Sequence, residues 1–393
     1  MGIEGALQAS TRPKLTIVVP CLNEETVIGE FVDWCHEGLR AAGVTGQVLI
    51  VDSSTDRSPE IAAAHGAEVL RVPKRGLGRA YIDALPHVRG QYVLMGDCDL
   101  TYDFRELRPF LDQLDAGHDF VMGSRFKGHI EAGAMPPLHQ YFGNPLTTAV
   151  LNRMYGTRFS DAHCGMRALT RTALERLQLT SQSWEYASEM VLKAARLRLR
   201  TAEVPVRFYK DRAGRVSHHK RSGWLSPWLA GWINLKVMFL YAADFFLLKP
   251  GALLFLLGLL LAASLVGGPY MVCGIGLDLH SMLLGVTLAT LGCGAVQMGV
   301  LARAWYDFDP GWRRRWGTAW TYDRGVLAAG AVTALGLVLG GTVLWRWVRE
   351  GLLLYEISYA GVFGLLLLIL GFQTFTFTLL LQMIHLRYER TAP

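Results

Sequence analysis

The sequence predicts an α/β domain with a mostly parallel sheet, followed by an all-α domain of four membrane-spanning helices. Short β-branched runs alternate with helical patterns over residues 1–222, as in parallel sheets covered by helices on both faces. Beyond residue 250, four long uncharged segments can each cross about 30 Å of hydrocarbon. Hydrophobic residues make up 51% of the 393 residues and charged residues only 18%, which is too apolar for an ordinary soluble protein.

Six runs of apolar and β-branched residues are predicted to be strands. They are Leu15–Pro20, Gln47–Val51, Ala67–Val72, Tyr92–Met95, Phe120–Arg125 and Thr201–Phe208. The helical patterns between them cover Pro59–His65, Gly78–Leu85, Pro145–Tyr155 and Ser188–Leu197. Asn23 is expected to cap a further helix that begins with Glu24 and Glu25, whose charges suit a helix N-terminus. A loop rich in Gly and Pro is expected over Gly128–Pro137.

Polar side chains follow three of the predicted strands at their carboxyl ends. Asn23 and Glu24 follow the first strand, Asp52 follows the second, and the pair Asp97 and Asp99 follows the fourth. Ligands of open parallel sheets bind in the crevice outside these ends, so we expect the five side chains to converge. Two carboxylates one residue apart can hold a divalent cation against a diphosphate. Taken alone, such a pair is also compatible with a solvated turn.

Four membrane spans are predicted in the second half of the chain. They are Gly251–Val272, Met282–Ala302, Gly325–Val348 and Tyr359–Ile384. The tryptophan-containing segment before them is predicted to form amphipathic interfacial helices, because Val237–Leu248 is too short to span and Lys249-Pro250 breaks it. A first spanning helix interrupted by Pro250 is the alternative. The predicted domains are therefore a catalytic domain, interfacial helices and a transmembrane domain, over residues 1–222, 223–249 and 250–393.

Loop charge predicts the orientation of the spans. The loop Cys273–Ser281 contains no Lys or Arg. The next loop contains five arginines, namely Arg303, Arg313, Arg314, Arg315 and Arg324. Because Met1–Lys14 also lacks a signal-peptide pattern, we expect a multi-pass protein of the cytoplasmic (inner) membrane with its first domain and both termini cytoplasmic. The net charge of +6, concentrated near the membrane boundary, favours anionic lipids or phosphates as partners and argues against nucleic acid.

Short motifs over about residues 14–222 resemble, in order, those of family-2 glycosyltransferases with the GT-A fold. The motifs are Pro20-Cys21-Leu22-Asn23-Glu24 for P-x-x-N-E, Asp52–Asp56 for D-D/N-G-S-x-D, Asp97-Cys98-Asp99 for D-x-D and Gly123-Ser124-Arg125 for G-S-R. Later motifs resemble those of the polyprenyl-phosphate branch, which includes dolichyl-phosphate mannose synthases and bactoprenol glucosyltransferases. They are Asp161–Arg167, Glu189-Met190, Glu203–Val206 and Tyr209–Lys220.

The resemblance implies a site for a metal ion, a nucleotide sugar and a lipid phosphate. Mg²⁺ or Mn²⁺ would be held by Asp97 and Asp99. The nucleotide sugar would be bound by Pro20, Asn23, Glu24, Asp52 and Asp97. The acceptor phosphate would be bound by Arg125, Arg167, Arg212, Arg215, His218 and Lys220. The catalytic residues would be Asp99, Arg125 and Arg212.

The implied reaction is the inverting transfer of a hexose from a nucleotide sugar to a polyprenyl or dolichyl phosphate at the cytoplasmic leaflet. UDP-glucose is the favoured donor and GDP-mannose the alternative. A phosphate monoester has a second pKa near 6, so much of it is a dianion at neutral pH and attacks without a strong base. Such an acceptor needs positive charge to orient it, and arginine provides this with two parallel donors.

Two other functions remain open from the sequence. A hydroxyl acceptor, as in glycolipid or polysaccharide synthesis, would require a base, for which Asp161 is the only obvious candidate. A non-enzymatic accessory of a lipid carrier would use the domain only to bind lipid phosphate. Glu189 is expected either to serve the site or to be a structural ion-pair partner. A homo-oligomer is also left open.

Three positions depart from the family pattern. Ser53 stands where a second acid or an amide is usual, and Leu100-Thr101 replaces the usual Gln after the D-x-D. Gly128–Gln140 lacks the basic loop of some members. We therefore expect altered contacts to the nucleoside, to the metal or phosphate, and to the acceptor.

Overall fold

A seven-stranded sheet and a bundle of long apolar helices occupy separate parts of the chain. The computed structural model describes residues 12–183, 185–212, 215, 232, 236, 239–242, 244–306, 310–352 and 357–391. The chain divides into two units, Met1–Leu240 and Tyr241–Pro393.

The sheet of the first unit has the strand order β3-β2-β1-β4-β6-β5-β7. Its strands are β1 (Leu15–Cys21), β2 (Gly46–Asp52), β3 (Glu68–Arg71), β4 (Tyr92–Met95), β5 (Phe120–Ile130), β6 (Arg167–Thr170) and β7 (Thr201–Phe208). Strand β6 is antiparallel to β4 and β5, and the other neighbouring pairs are parallel. Every residue of β4 and nearly every residue of β1 is buried, which explains their unbroken apolar sequences. The predicted fold class is confirmed.

Seven helices connect the strands of this sheet. They are α1 (Ile28–Ala42), α2 (Ser58–Ala64), α3 (Leu77–Ala84), α4 (Arg108–Asp115), α5 (Asn144–Tyr155), α6 (Arg171–Leu177) and α7 (Glu185–Arg196). Helix α1 shows how they pack, because its buried residues Ile28, Phe31, Val32, Cys35 and Leu39 recur on one face. The sequence did not predict β6, α4 or α6, which are only four to eight residues long.

Two local predictions in the first unit are wrong. Asn23 does not cap a helix that begins at Glu24. It has a φ of 57°, a left-handed conformation that Asn tolerates, and its side chain accepts a hydrogen bond from the Thr55 N–H at 2.8 Å. Helix α1 instead begins at Ile28 after Val27. The loop predicted over Gly128–Pro137 is partly strand, because β5 continues to Ile130.

The second unit contains four helices that are long and apolar enough to span a membrane. The elements, in chain order, are α8 (Lys249–Ser264), a short hairpin of β8 (Tyr270–Val272) and β9 (Ile275–Leu277), α9 (Leu279–Tyr306), α10 (Pro310–Ala319), α11 (Tyr322–Arg349) and α12 (Tyr359–Thr391). The candidate spans are Phe245–Ser264, Leu279–Tyr306, Tyr322–Arg349 and Tyr359–Arg387. The predicted number of spans is thus confirmed.

The first span lies closer to the N-terminus than predicted. Lys249-Pro250 does not break the helix, because Pro250 lies in the first turn of α8, where its missing N–H costs nothing. A π-helical turn over Asp244–Leu248 precedes it and extends the span. The helix ends at Ser264, so Val272 lies in the hairpin. Most of the predicted interfacial helices at 223–249 lie outside the described residues.

Candidate functional site

The carboxyl ends of β1, β2 and β4 meet at one edge of the sheet. Because these strands are parallel neighbours, the residues that follow them enter the same crevice. Asp52 is the last residue of β2, Asn23 and Glu24 follow β1, and the segment containing Asp97 and Asp99 follows β4.

Asp99 is held in place by the residue that departs from the family pattern. Its Oδ1 accepts hydrogen bonds from the Thr101 N–H at 3.0 Å and the Thr101 hydroxyl at 2.5 Å. The intervening Leu100 has a φ of 62°, so the backbone turns sharply between the two residues. Burial raises the pKa of Asp99, while Arg215 and the bonds from Thr101 oppose that shift. The missing Gln is therefore replaced by a residue that orients a carboxylate.

Asp97 lies in the crevice without a hydrogen bond or ion pair to any described residue. Burial, and secondarily the charge of Asp99, raise its pKa to about 6, although Arg167, Arg215 and Arg125 act in the opposite direction. A Cβ at Gly165 would lie 2.6 Å from Asp97 Oδ2, so a larger residue there would displace the carboxylate. A divalent cation fits this environment, since it would stabilise the ionised form of both aspartates.

The described residues contain no group of three His, Cys, Asp or Glu side chains arranged as a metal site. The pair Asp97 and Asp99 is nevertheless suitable for Mg²⁺ or Mn²⁺, because such ions are often held by one or two carboxylates together with substrate phosphates. The residues present thus fit a cation that completes its coordination with a bound diphosphate.

A buried arginine joins the loop after β1 to the aspartate pair. Arg215, whose side chain is only 5% exposed, donates to both carboxylate oxygens of Glu24 at 2.7 and 2.8 Å. Its Nη1 also lies 2.6 Å from Asp211 Oδ1 and 3.5 Å from Asp99 Oδ2. The surrounding carboxylates raise the pKa of Arg215 against the effect of its burial. It therefore carries a permanent positive charge next to the proposed diphosphate position.

Asp52 has one satisfied and one unsatisfied carboxylate oxygen. Its Oδ2 accepts from the Ser54 N–H at 3.0 Å and from Arg71 Nη1 at 2.7 Å. Its Oδ1 is buried and has no hydrogen-bond partner among the described residues. A buried acceptor without a partner costs about 1–3 kcal/mol, so a donor group of a ligand would be bound well here. The backbone carbonyl of Pro20 accepts from Cys98 Sγ at 3.3 Å and so braces the aspartate segment.

In strands β5 and β6, on the far side of β4 from β1, two predicted phosphate-binding arginines already bind protein groups. Arg125 forms a two-point ion pair with Asp161, with Nε and Nη2 at 2.7 and 2.8 Å from the two oxygens. Arg167 donates to the carbonyls of Cys164, Gly165 and Ala187. Both side chains are buried. They hold the 161–165 loop next to Asp97, and whether either also contacts a phosphate stays a prediction.

The remaining predicted residues divide into exposed and structural ones. Arg212 is half-exposed and pairs with Glu30 of α1. Glu189 is fully buried and accepts from Thr180, Ser181 and Lys193, which is a structural role at the start of α7. His218 and Lys220 lie outside the described residues.

Sequence reasoning missed three residues of the site. Arg71 binds Asp52 and the Ser54 carbonyl. The Tyr102 hydroxyl oxygen accepts a hydrogen bond from the Gly165 N–H at 2.9 Å. Asp211 accompanies Glu24 around the buried arginine. Arg71 could have been found, because it ends the strand next to β2. The other two are brought in by tertiary packing that no local pattern reveals.

Comparisons with known proteins identify the family of this chain. Residues 16–178 match the family model for glycosyl transferase family 2, and residues 300–385 match that for the glycosyltransferase family 2 C-terminal transmembrane region. The low-salt glycan biosynthesis hexosyltransferase Agl6 of Haloferax volcanii is 36% identical over 366 residues, which are 92% of this chain and 86% of that protein. A dolichyl-phosphate hexose transferase of the same organism is 33% identical over 204 residues, covering 51% of this chain and 84% of that protein.

Among solved structures, mannosyl-3-phosphoglycerate synthase from Rubrobacter xylanophilus matches with a TM-score of 0.46 and 22% identity. The match covers 57% of this chain and 73% of that chain.

Proposed function

We propose that this chain, which belongs to glycosyltransferase family 2, transfers a hexose from a nucleotide sugar to a polyprenyl phosphate at the membrane surface. The observation that carries the proposal is the carboxylate of Asp97, which has no hydrogen bond or ion pair among the described residues and lies beside Asp99, at the same sheet edge as the unsatisfied oxygen of Asp52. The names of the two Haloferax relatives, a hexosyltransferase and a dolichyl-phosphate hexose transferase, support the substrate classes.

The donor half of the site is formed by the three strand ends. A divalent cation held by Asp97 and Asp99 would neutralise the charge that develops on the diphosphate as the glycosidic bond breaks. Asp52 Oδ1 is available to accept a hydrogen bond from the nucleoside. Arg215, fixed by Glu24, adds positive charge beside Asp99. We favour UDP-glucose over GDP-mannose as the donor.

The acceptor needs orientation more than deprotonation. A phosphate oxygen forms the new bond to the anomeric carbon while the bond to the diphosphate breaks, and the nucleoside diphosphate leaves with the electron pair. A single displacement of this kind converts an α-linked donor into a β-linked lipid phosphosugar. Arg212 is exposed enough to exchange Glu30 for a phosphate, and we retain His218 and Lys220 as further candidates.

The hydroxyl-acceptor alternative depends on Asp161 as a general base. Both oxygens of that carboxylate are engaged by Arg125, and the side chain is fully buried. A substrate hydroxyl would have to displace Arg125 to reach this carboxylate, which supports the phosphate acceptor. Family membership makes the chain a glycosyltransferase, so the accessory-protein alternative is set aside.

We further propose that the first unit and both termini face the cytoplasm. Support comes from basic residues at and between the adjoining ends of the second and third candidate spans, which include Arg303, Arg315 and Arg324. The hairpin segment between the first two spans has no Lys or Arg. The domain limits 1–222, 223–249 and 250–393 remain part of this proposal.

The test is to incubate the purified full-length protein with Mg²⁺ or Mn²⁺, a short polyprenyl phosphate and a panel of UDP and GDP sugars. The expected product, identified by mass, is a polyprenyl-phosphate hexose. The Asp99→Ala variant should form none, whereas Asp112→Asn, which alters an exposed ion pair with Arg108, should be fully active. Transfer to a polyprenol or a glycolipid hydroxyl, but not to the phosphate, would overturn the proposal.

A further inference from the structure

One surface of the first unit is apolar over a length that a soluble protein does not usually expose. Residues 136–149, with the sequence PPLHQYFGNPLTTA, contain no Asp, Glu, Lys or Arg. Four large apolar side chains there are exposed, with Leu138 at 55%, Tyr141 at 76%, Phe142 at 61% and Leu146 at 48%. Their spacing of three and four residues places them on one face of a helical segment. We call these four residues the apolar ridge.

The segment is amphipathic in the opposite sense to an ordinary surface helix, because its polar side chains point towards the protein. The Thr147 hydroxyl bonds to His163 Nε2 at 2.8 Å, and the buried Thr148 hydroxyl accepts from the Ala162 N–H at 3.2 Å. Burial lowers the pKa of His163 to about 4, so this contact is made by a neutral imidazole. A contiguous exposed apolar face of this kind marks a site of contact with a membrane or another protein.

The backbone geometry contributes to this exposure. A π-helical turn over His139–Gly143 leads directly into α5. Pro145 has no N–H and cannot bond to the carbonyl four residues earlier, which favours a wider turn at this point. Tyr141 and Phe142 both lie in this turn and are exposed.

We infer that the apolar ridge docks into the lipid bilayer and is a second attachment of the catalytic unit to the membrane, besides the spanning helices. The spans begin at Phe245, shortly after β7 ends at Phe208. The spans therefore tether the unit near a bilayer. Because tethering gives the ridge a high effective concentration at the lipid surface, even a weak apolar contact can form. The exposed Arg153 and Arg158 follow the ridge along the chain. Their positive charge would attract anionic headgroups.

Docking of the ridge has a direct connection to the site. The inward face of α5 holds the 161–165 loop through Thr147 and Thr148. The same loop supplies Asp161, which holds Arg125, and Gly165, which lies against Asp97. A bilayer contact on the outer face of α5 would therefore fix the loop that borders the aspartate pair. This inference rests on the membrane spans and does not require the acceptor to be a polyprenyl phosphate.

The test uses the full-length protein in nanodiscs that each hold one copy. A Phe142→Cys variant in a Cys273→Ser background, which removes the exposed native thiol, is labelled with the environment-sensitive fluorophore NBD. We expect blue-shifted emission and at least about twofold quenching by lipids carrying a nitroxide on the acyl chain, as for an interfacial helix. The matched control is Glu60→Cys on exposed α2, which should show water-like emission and no quenching.

A second variant tests whether the apolar surface causes the insertion. With the label at Leu146→Cys, the added changes Tyr141→Glu and Phe142→Glu should abolish the quenching, while Tyr141→Leu and Phe142→Leu should preserve it. Because these side chains are exposed, the melting temperatures of the two variants should agree. Water-like emission at position 142 in single-copy nanodiscs would overturn the inference. So would a blue shift that appears only with two copies per disc, which would indicate an interface between copies.

Discussion

The two sides of the site differ in how many of their charged groups are already used by the protein. On the donor side, at the ends of β1, β2 and β4, Asp97 has no partner among the described residues and Asp52 keeps one buried oxygen unsatisfied. On the acceptor side, at β5 and β6, Arg125 is bound to Asp161 and Arg167 to backbone carbonyls. Unsatisfied buried groups indicate where a ligand binds, whereas satisfied ones indicate what shapes the site.

The largest expected effect is on the donor side. Asp97→Asn keeps the size of the side chain but removes the charge that a cation requires, so we expect kcat to fall about 10³-fold. Product formation with saturating donor and acceptor measures this, and the melting temperature should not fall. Asp112→Asn, an exposed aspartate in an i,i+4 pair, is the control. Wild-type activity of Asp97→Asn would mean that the Asp97 carboxylate is not part of a metal site.

Arg125→Ala tests the acceptor side by its effect on the free energy of unfolding, whereas Asp97→Asn tests the donor side by its effect on kcat. It leaves Asp161 charged, buried and without its partner, so we expect a loss of about 3–5 kcal/mol in the free energy of unfolding. For a unit of this size that corresponds to a fall of about 10 °C in melting temperature, measurable by thermal unfolding in detergent. Arg108→Ala breaks an exposed pair and should cost under about 1 kcal/mol. An unchanged melting temperature with a raised KM for the acceptor would instead make Arg125 a phosphate ligand.

The same difference explains what the sequence could predict. Strands β1, β2 and β4 are apolar runs, and β2 ends at Asp52 while Asn23 and Asp97 come two residues after β1 and β4. Both the strands and the convergence of their ends therefore follow from the sequence pattern. The charge pairs of the site depend on contacts over long sequence distances, such as Arg125 with Asp161 and Arg215 with Glu24. A sequence reveals the arginines but not which carboxylates they meet.

Short elements and prolines account for most of the remaining differences. Strand β6 has four residues, too few to show alternation, and the sequence therefore did not predict it. The Gly and Pro content predicts a loop over Gly128–Pro137 and the next helical pattern begins only at Pro145, whereas a π-helical turn already covers His139–Gly143. Pro250 was predicted to break a helix because a proline inside a helix usually does so. The sequence does not show that the helix begins at Lys249, which places Pro250 in its first turn.

Asp52→Asn sharpens the donor side further. The change removes the charge from an oxygen that we expect to accept from the nucleoside, and hydrogen bonds to charged groups contribute about 1.5–3 kcal/mol. We therefore expect the donor KM to rise about 30-fold with little change in kcat. Asp33→Asn, which alters a surface pair with His65, is the control. Equal KM values for wild type and Asp52→Asn would assign the unsatisfied oxygen to something other than the donor.

The pH dependence of metal binding should follow Asp97. Its folded-state pKa of about 6 lies above the ordinary value, so between about pH 4 and pH 6 the folded state binds more protons than the unfolded one. The metal-free protein should therefore lose stability as pH rises through this window, and Asp97→Asn should remove this loss. Mn²⁺ affinity, measured by calorimetry on the wild-type protein, should fall about tenfold per pH unit below 6. A flat affinity between pH 5 and 7 would contradict the assignment.

Arg212 gives the smallest effect and decides whether the acceptor side has any charge left for a substrate. Its pair with Glu30 is exposed and contributes at most about 1 kcal/mol, so a dianionic phosphate can displace the carboxylate at little cost. We expect Arg212→Gln to raise the KM for polyprenyl phosphate about fivefold, since it removes one charge-assisted contact, without changing the donor KM or the melting temperature. The matched control is Arg207→Gln, another exposed arginine paired with a glutamate, Glu106. If both variants leave the acceptor KM unchanged, the phosphate is bound by the basic residues beyond Arg215, and Arg212 belongs with the residues that only shape the surface.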